Sequence, residues 1–218
     1  MDSARKDCPF PFLWTTDSPT KLTEVYEQWS ASYDKDVEGR GYLGPVLVAK
    51  SLAEFYPEER RTVKVLDIGA GTGLVGVELQ KLGFHTIDGL DPSQPMLEKA
   101  RATHVYTNLL CQYFTARPTP GVDKDSYDVI ISAGSFLQGH LPTNCFIEAA
   151  RIVRPGGIIC IITRTEGKGN FDEPEYRDQF IAVIKQLQEE RKLEEIKWEK
   201  VNHSPFSSGI IIAYRVLQ

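Results

Sequence analysis

No stretch of this sequence approaches the roughly 20 apolar residues that a helix needs to cross a bilayer, so nothing in it reads as a membrane span. The opening segment MDSARKDCPFPFLW carries Arg5 and Lys6, but its apolar part is short and broken by Pro9 and Pro11, a poor secretion signal. Cysteine is sparse as well. Cys8, Cys111, Cys145 and Cys160 lie far apart, without a C-x-x-C pair or a histidine at ligand spacing, which disfavours a disulfide framework and a zinc site. Cys111 and Cys160 sit in apolar runs and read as small buried hydrophobes. Positive charge is not in excess: a net charge of -5 and a pI near 5.5 disfavour binding to a phosphate backbone, which needs a clustered cationic surface. These deficits leave the expectation of a soluble protein of the cytosol or nucleus, with no metal, no membrane and no nucleic acid among its partners.

What is present is a chain of 218 residues, enough for one domain with a sizeable core. Residues 1–19 read as a loose, flexible tail. From Pro19 onward, Leu22, Val25, Tyr26 and Trp29 recur at spacings of three and four, the pattern of an amphipathic helix. Gly39, Gly41, Gly44 and Pro45 interrupt the chain before Val46, Leu47, Leu52 and Phe55 mark a second helix, ended near Pro57. Residues 20–61 are thus expected to form a helical cap.

From residue 62, TVKVLDIG, HTIDGLD, NLLCQYF, YDVIISA and GIICIITRT read as strands, separated by the helical stretches GLVGVELQKLG, SQPMLEKARATHV and NCFIEAARIV. That alternation implies parallel strands joined by right-handed crossovers. The helix EYRDQFIAVIKQLQEE then precedes LEEIKWEKV and GIIIAYRVL, joined by a turn too short for a parallel crossover, so an antiparallel hairpin ends the chain. The expected fold is α/β: a doubly wound, mostly parallel seven-stranded sheet over residues 62–218, continuous with the cap in a single domain. There is no internal repeat, and the charged stretch from Lys185 to Lys200 reads as a solvated face.

Residues 66–76, LDIGAGTGLVG, hold two motifs at once. Gly71, Gly73 and Gly76 spell the dinucleotide fingerprint G-x-G-x-x-G, while Asp67, Gly69, Gly71 and Gly73 spell D-x-G-x-G-x-G. Glycines after a strand let the backbone turn sharply against a ligand and leave the next helix's amides facing an anionic group. Asp91 stands where a dinucleotide fold places its ribose-binding acid, so spacing alone does not separate the readings. Asp67 is more informative, because a carboxylate there repels a pyrophosphate and suits a cation. S-adenosylmethionine offers an ammonium beside a sulfonium, and a carboxylate for the glycine loop and helix start.

Taken in order, VLDIGAGTG, GLDPS, YDVIISAG and RIVRPGGIICIITR, together with the terminal hairpin, resemble the class I S-adenosylmethionine-dependent methyltransferases over roughly residues 20 to 218. YEQWSASYD and VYTNLLCQYF are similar to segments of the methyltransferase-like proteins within that family. The resemblance implies a Rossmann-like fold, S-adenosylmethionine as cofactor and S-adenosylhomocysteine as product. It implies that Asp67 orients the methionyl ammonium, directly or through water. Gly69, Ala70, Gly71 and Gly73 then pass beneath the cofactor, and Asp91, followed by Pro92, accepts both ribose hydroxyls. The plain alternatives are a structural turn for the glycines and a helix N-cap at Asp91.

The family usually places an acid after strand three, near the adenine amino group. This sequence has Gln112 and Tyr113 there, a carbonyl acceptor and a ring that can pack on adenine, with ordinary strand-end packing as the alternative. Ser132, ending strand four, is placed beside the methionine portion or is a plain loop serine. Trp29 and Tyr33 lie in a stretch resembling the aromatic segment that caps the cofactor in small-molecule methyltransferases; the helical stripe assigns Trp29 to a core and leaves Tyr33 as the contact.

Methyl transfer is an in-line displacement that alignment alone can drive. Where a general base is used, the candidate is His140 in SFLQGHLP, the alternative being a hydrogen-bonded loop histidine. ISAGSFL lacks an N-P-P-Y type motif and no acidic cluster suits metal-dependent catechol methylation, which lowers both classes. Tyr42, the Gln138–His140 loop and TEGKGNFDEPEY are expected to wall the acceptor as a lid. The expected activity is methyl transfer to a small molecule or a protein. The alternatives are a cofactor-binding protein that acts with a partner and transfers nothing itself, and an NAD-dependent oxidoreductase.

Overall fold

The computed structural model of the chain describes residues 18–165 and 171–218. Nearly all of the expected tail, and residues 166–170 of the expected lid, lie outside the described residues. The cap consists of α1 (Pro19–Trp29), α2 (Tyr33–Gly39) and α3 (Gly44–Phe55). Strands β1 (Lys64–Ile68), β2 (Thr86–Asp91), β3 (Asn108–Cys111), β4 (Tyr127–Ala133) and β5 (Val153–Arg164) follow, with α4 (Leu74–Lys81) after β1, α5 (Gln94–Ala102) after β2 and α6 (Phe146–Ile152) before β5. Helix α7 (Pro174–Glu189) leads into β6 (Leu193–Ser204) and β7 (Ser207–Val216). No helix among the described residues is long and apolar enough to cross a membrane.

The strands form one seven-stranded sheet in the order β3-β2-β1-β4-β5-β7-β6. The first five pair in parallel, and β7 lies antiparallel to both β5 and β6. Helices cover both faces, so successive residues of a strand enter opposite cores and the strands read as unbroken apolar runs. In β5, Ile159 and Ile161 join Phe146, Phe180 and Leu187 on one face, while Ile158, Cys160 and Ile162 join Leu52, Val75 and Leu79 on the other. The sheet winds outward in both directions from the β1–β4 pair, and the crevice above the carboxyl ends of these strands is where such sheets bind ligands.

Four local expectations need correction. Helix α2 occupies residues that sequence spacing left between two helices; Asp34 and Asp36 in its first turn complement the helix dipole, and the glycines end it. Pro45 belongs to the first turn of α3, where a missing N–H costs nothing. β3 stops at Cys111, because its partner β2 stops at Asp91, so Gln112 and Tyr113 lie beyond the sheet. On this edge strand Cys111 is exposed rather than buried, whereas Cys145 and Cys160 are buried thiols.

The terminal hairpin is longer than the sequence pattern indicates: pairing continues to Ser204 and Ser207 through register shifts near Glu195 and Asn202. Its tip reaches the cap, where the Leu43 amide donates to the His203 carbonyl at 2.9 Å.

Between cap and core, Arg60 acts as a clasp. Its guanidinium donates to the carbonyls of Ala53 at 2.9 Å, Tyr56 at 2.5 Å and Leu82 at 3.0 Å, so it caps the ends of α3 and α4 together. Replacing it leaves three acceptors short. Arg60→Ala is expected to lower stability in urea unfolding by roughly 2–4 kcal/mol, whereas the exposed Arg61→Ala should stay within about 0.5 kcal/mol of the parent.

Candidate functional site

The loop leaving β1 is shaped by glycines in the left-handed region: Gly69 at φ 69°, Gly71 at 53° and Gly73 at 95°. A Cβ on Gly69 would collide with the Ser135 hydroxyl, while one on Gly71 would meet nothing within 4 Å. Gly71 therefore presents bare backbone to open space. The Gly69 and Ala70 amides donate to the Leu90 carbonyl at 2.8 and 3.1 Å, tying the loop to the end of β2.

Asp91 ends β2 directly across that loop. Its Oδ2 accepts the Gly71 amide and its Oδ1 the Ser93 amide, both at 2.9 Å. Ser93, not Asp91, is the N-cap of α5. One backbone donor per oxygen fixes the carboxylate and leaves each oxygen further lone pairs, the arrangement needed to accept a pair of hydroxyls. Burial pushes its pKa up, opposed by the two amide bonds.

Asp67 is fully buried beneath the loop, opposite Gly89 in the β1–β2 register. Its Oδ2 accepts the Tyr106 hydroxyl at 2.6 Å, while its Oδ1 has no hydrogen-bond partner among the described residues. Burial, with a smaller contribution from Asp91, raises its carboxyl to about 7 against the pull of the Tyr106 bond. Sequence reading missed Tyr106, whose ring lies in a slot of glycines. A Cβ on Gly76 would come within 2.5 Å of that ring, and one on Gly73 or Gly89 within 3.0 Å. The third glycine of G-x-G-x-x-G is thus required by a tyrosine, and the Gly76 amide donates to its hydroxyl at 3.2 Å.

Above the loop is a cavity of about 1000 Å³, at the upper end of the roughly 300–1,000 Å³ typical of small-molecule sites. Of the residues singled out in the sequence, Tyr33, Gly69, Gly71, Asp91, Pro92, Tyr113 and His140 line it. Asp67, Ala70, Gly73, Gln112 and Ser132 do not. Gln112 instead donates to the Pro120 carbonyl at 3.2 Å, and Ser132, fully buried, to the Ile68 carbonyl at 2.8 Å. Tyr113 is placed on the wall, its hydroxyl 3.0 Å from that of Thr23 on α1.

Trp29 belongs to a small core shared by α1 and α2, and its indole donates to Asp36 at 2.7 Å. The Asp34 carboxylate accepts the Thr72 hydroxyl at 2.5 Å, which ties the cap to the glycine loop. The Gln138–His140 loop forms another wall, whereas Tyr42 does not line the cavity and has its hydroxyl against Gly134. His140 has both ring nitrogens engaged: Nδ1 faces the Gln138 carbonyl at 3.2 Å, so Nε2 accepts the Tyr26 hydroxyl at 2.9 Å. Burial lowers its pKa to about 4, which holds the ring neutral and weakens it as a base.

Asp67 carries a testable cost. Its folded pKa, about 7, lies above the ordinary value of 3.8, so the folded state holds the proton more tightly and loses stability as pH rises between those values. The loss approaches roughly 4 kcal/mol when complete. Asp67→Asn is therefore expected to raise the Tm of the ligand-free protein by several degrees at pH 8 and leave it unchanged near pH 3.5, as read by calorimetry across that range.

Residues 65–157 match a family model described as a methyltransferase domain. The chain is 31% identical over 164 residues to Methyltransferase-like protein 27 of Homo sapiens, the Williams-Beuren region protein, with 75% of this chain and 64% of that protein aligned. It thus spans slightly less than two thirds of that relative's length. Among solved structures, a Leishmania major S-adenosylmethionine-dependent methyltransferase superposes with a TM-score of 0.69 at 16% identity, covering 90% of this chain and 82% of that one. Magnesium protoporphyrin IX methyltransferase from Synechocystis PCC 6803, solved with S-adenosylhomocysteine bound, gives 0.67 at 13% identity, covering 93% and 100%. At such identities the likeness shows the fold. Residues 65–157 thus carry a sequence match to a methyltransferase domain, within a chain that has the fold of the solved S-adenosylmethionine-dependent methyltransferases it superposes on.

Proposed function

We propose that this protein binds S-adenosylmethionine between Asp67 and Asp91 and transfers its methyl group to a small molecule held in the outer part of the cavity. The observation that carries this reading is the pair of acids at adjacent strand ends, Asp67 fully buried and Asp91 partly so at the cavity wall. Neither is salt-bridged to a cation among the described residues, and both are pushed toward protonation by burial. A site with surplus negative charge and a donor-free carboxylate oxygen fits a ligand that brings a cation and a diol.

The residues fit this cofactor in three ways. The unpartnered Oδ1 of Asp67 is an acceptor for an ammonium, directly or through water. Asp91 has an oxygen for each ribose hydroxyl, and Gly71 leaves room for the ligand to approach the backbone. When bound, S-adenosylmethionine supplies a methyl carbon already activated by a positively charged sulfur. The protein's task is then to align the acceptor and exclude water, which proximity and orientation achieve without a strong base. Tyr26, Tyr33 and Tyr113 wall that region, and aromatic faces suit a sulfonium. His140 accepts an acceptor's proton only where the Tyr26 hydroxyl releases Nε2.

The competing dinucleotide reading loses support at Gly76, whose absent Cβ accommodates Tyr106. Calorimetric titration decides between them: S-adenosylmethionine is expected to bind and NADH not, and Asp91→Ala should weaken the former at least tenfold. Affinity should rise with pH through about 7 as Asp67 ionises, and level off above it. Binding of NADH without S-adenosylmethionine would overturn the assignment. Methyl transfer from labelled cofactor into metabolite and protein extracts then separates a small-molecule acceptor from a protein one. Cofactor binding without transfer into either extract would favour the reading as a binding protein that acts with a partner.

A further inference from the structure

We infer that Tyr106 is a positioning residue that makes the site selective for ligands carrying the amino-acid portion of the cofactor, by orienting Asp67 toward the ammonium. This rests on the S-adenosylmethionine reading and assigns a role that neither the family motifs nor the relatives' names contain.

The geometry is unusual in how much sequence it consumes. Tyr106 lies in the lead-in to β3, yet its ring sits against positions 73, 76 and 89, each a glycine and each unable to carry a Cβ without meeting that ring. The phenol alone excludes a side chain at Gly76, while Gly73 is also held to glycine by its φ of 95° and by Ala100, and Gly89 by Leu109. The hydroxyl receives the Gly76 amide at 3.2 Å and donates to Asp67 Oδ2 at 2.6 Å. With its acceptor role filled by the amide, the hydroxyl proton is committed to Asp67.

That bond has two effects. It offsets part of the cost of holding a carboxylate in a fully buried position, so the ionised form is available to a cationic ligand. It also occupies one oxygen and fixes the carboxyl plane, so that the second oxygen is the one left for the ligand. A tyrosine that merely filled space would need neither a donor-acceptor arrangement nor contact with the acid. The chemical handle that suits this pair is the ammonium, since the proposed reading gives the ribose hydroxyls to Asp91.

Tyr106→Phe retains the ring and removes only the hydroxyl. Its affinity for S-adenosylmethionine and S-adenosylhomocysteine is expected to fall roughly 10- to 100-fold, the worth of a hydrogen bond to a charged group. Affinity for 5′-methylthioadenosine, which has the nucleoside and sulfur without the amino acid, should stay within about twofold of wild type, since no ammonium is lost. In an Asp67→Asn background the same substitution should add little, the signature of two groups acting as one. An equal loss for all three ligands, or additive effects of the two substitutions, would overturn the inference and reduce Tyr106 to a packing residue. Unchanged binding of every ligand by Tyr106→Phe would overturn it as well. Wild-type protein that binds none of them would instead defeat the cofactor assignment itself, so the two failures are distinguishable.

Discussion

A carboxylate with no access to water and one oxygen without a donor is the constraint on which the rest of this structure turns. Burying such a charge costs several kcal/mol unless it is compensated. Here the compensation is partial: among the described residues one phenolic hydroxyl meets Oδ2 of Asp67 and nothing meets Oδ1. The position would be poor for stability alone, since a hydrophobic residue at the end of β1 would continue the run from Val65 and Leu66. Strain of this kind is retained where a ligand relieves it. The arrangement around Asp67 follows from that single requirement: the glycine slot admits the phenol, the phenol holds the acid, and the acid lies under a loop whose backbone is bare at Gly71.

The same chain of contacts explains why residues 66–76 carry two motifs. Gly69 and Gly71 serve the loop, one because Ser135 approaches it and one because it faces open space. Gly73 turns the loop at φ 95° and leaves room for the Tyr106 ring, and Gly76 serves Tyr106. The last glycine of the dinucleotide spacing is therefore produced here by side-chain packing within the protein. A motif is a spacing of residue types, and identical spacings arise from different physical demands.

Much of the fold was legible because its signals are local or periodic. Alternation of apolar runs with helical stretches identified the parallel strands, and the short NHSPFSS connection identified the hairpin. Asp91, Gly71 and Tyr33 were placed at the cavity by motif spacing and by position beyond the Trp29 stripe. What escaped was set by contacts between distant segments. Tyr106 sits next to a recognised strand and has no periodic or motif signature; its role appears only when Gly73, Gly76 and Gly89 converge on it in space. Gln112 and Ser132 were aligned with the cavity by their positions at strand ends, but backbone carbonyls of Pro120 and Ile68 claim their side chains. Helix α2 is too short for a periodicity to establish it, and is held by Asp34 and by the small core around Trp29.

The two ends of the cavity are built from different materials, and this bears on what each can do. The inner end is framed by β1, β2 and their connecting loop, with amides bonded to a strand carbonyl and a carboxylate held by two further amides. Main-chain bonds of this kind do not depend on side-chain identity, so this end suits a ligand that is always the same. The outer end is framed by α1, the segment after β3, the Gln138–His140 loop and the start of α7, with α1 joined to two of these through the side-chain pairs Thr23 with Tyr113 and Tyr26 with His140. Each such bond is worth about 1 kcal/mol and depends on both partners. Substitutions there reshape the wall without disturbing the strand ends, whereas the inner end depends on main-chain bonds and on two carboxylates fixed by them and by Tyr106. That division is why the inner end left a motif in a dozen residues of sequence and the outer end did not.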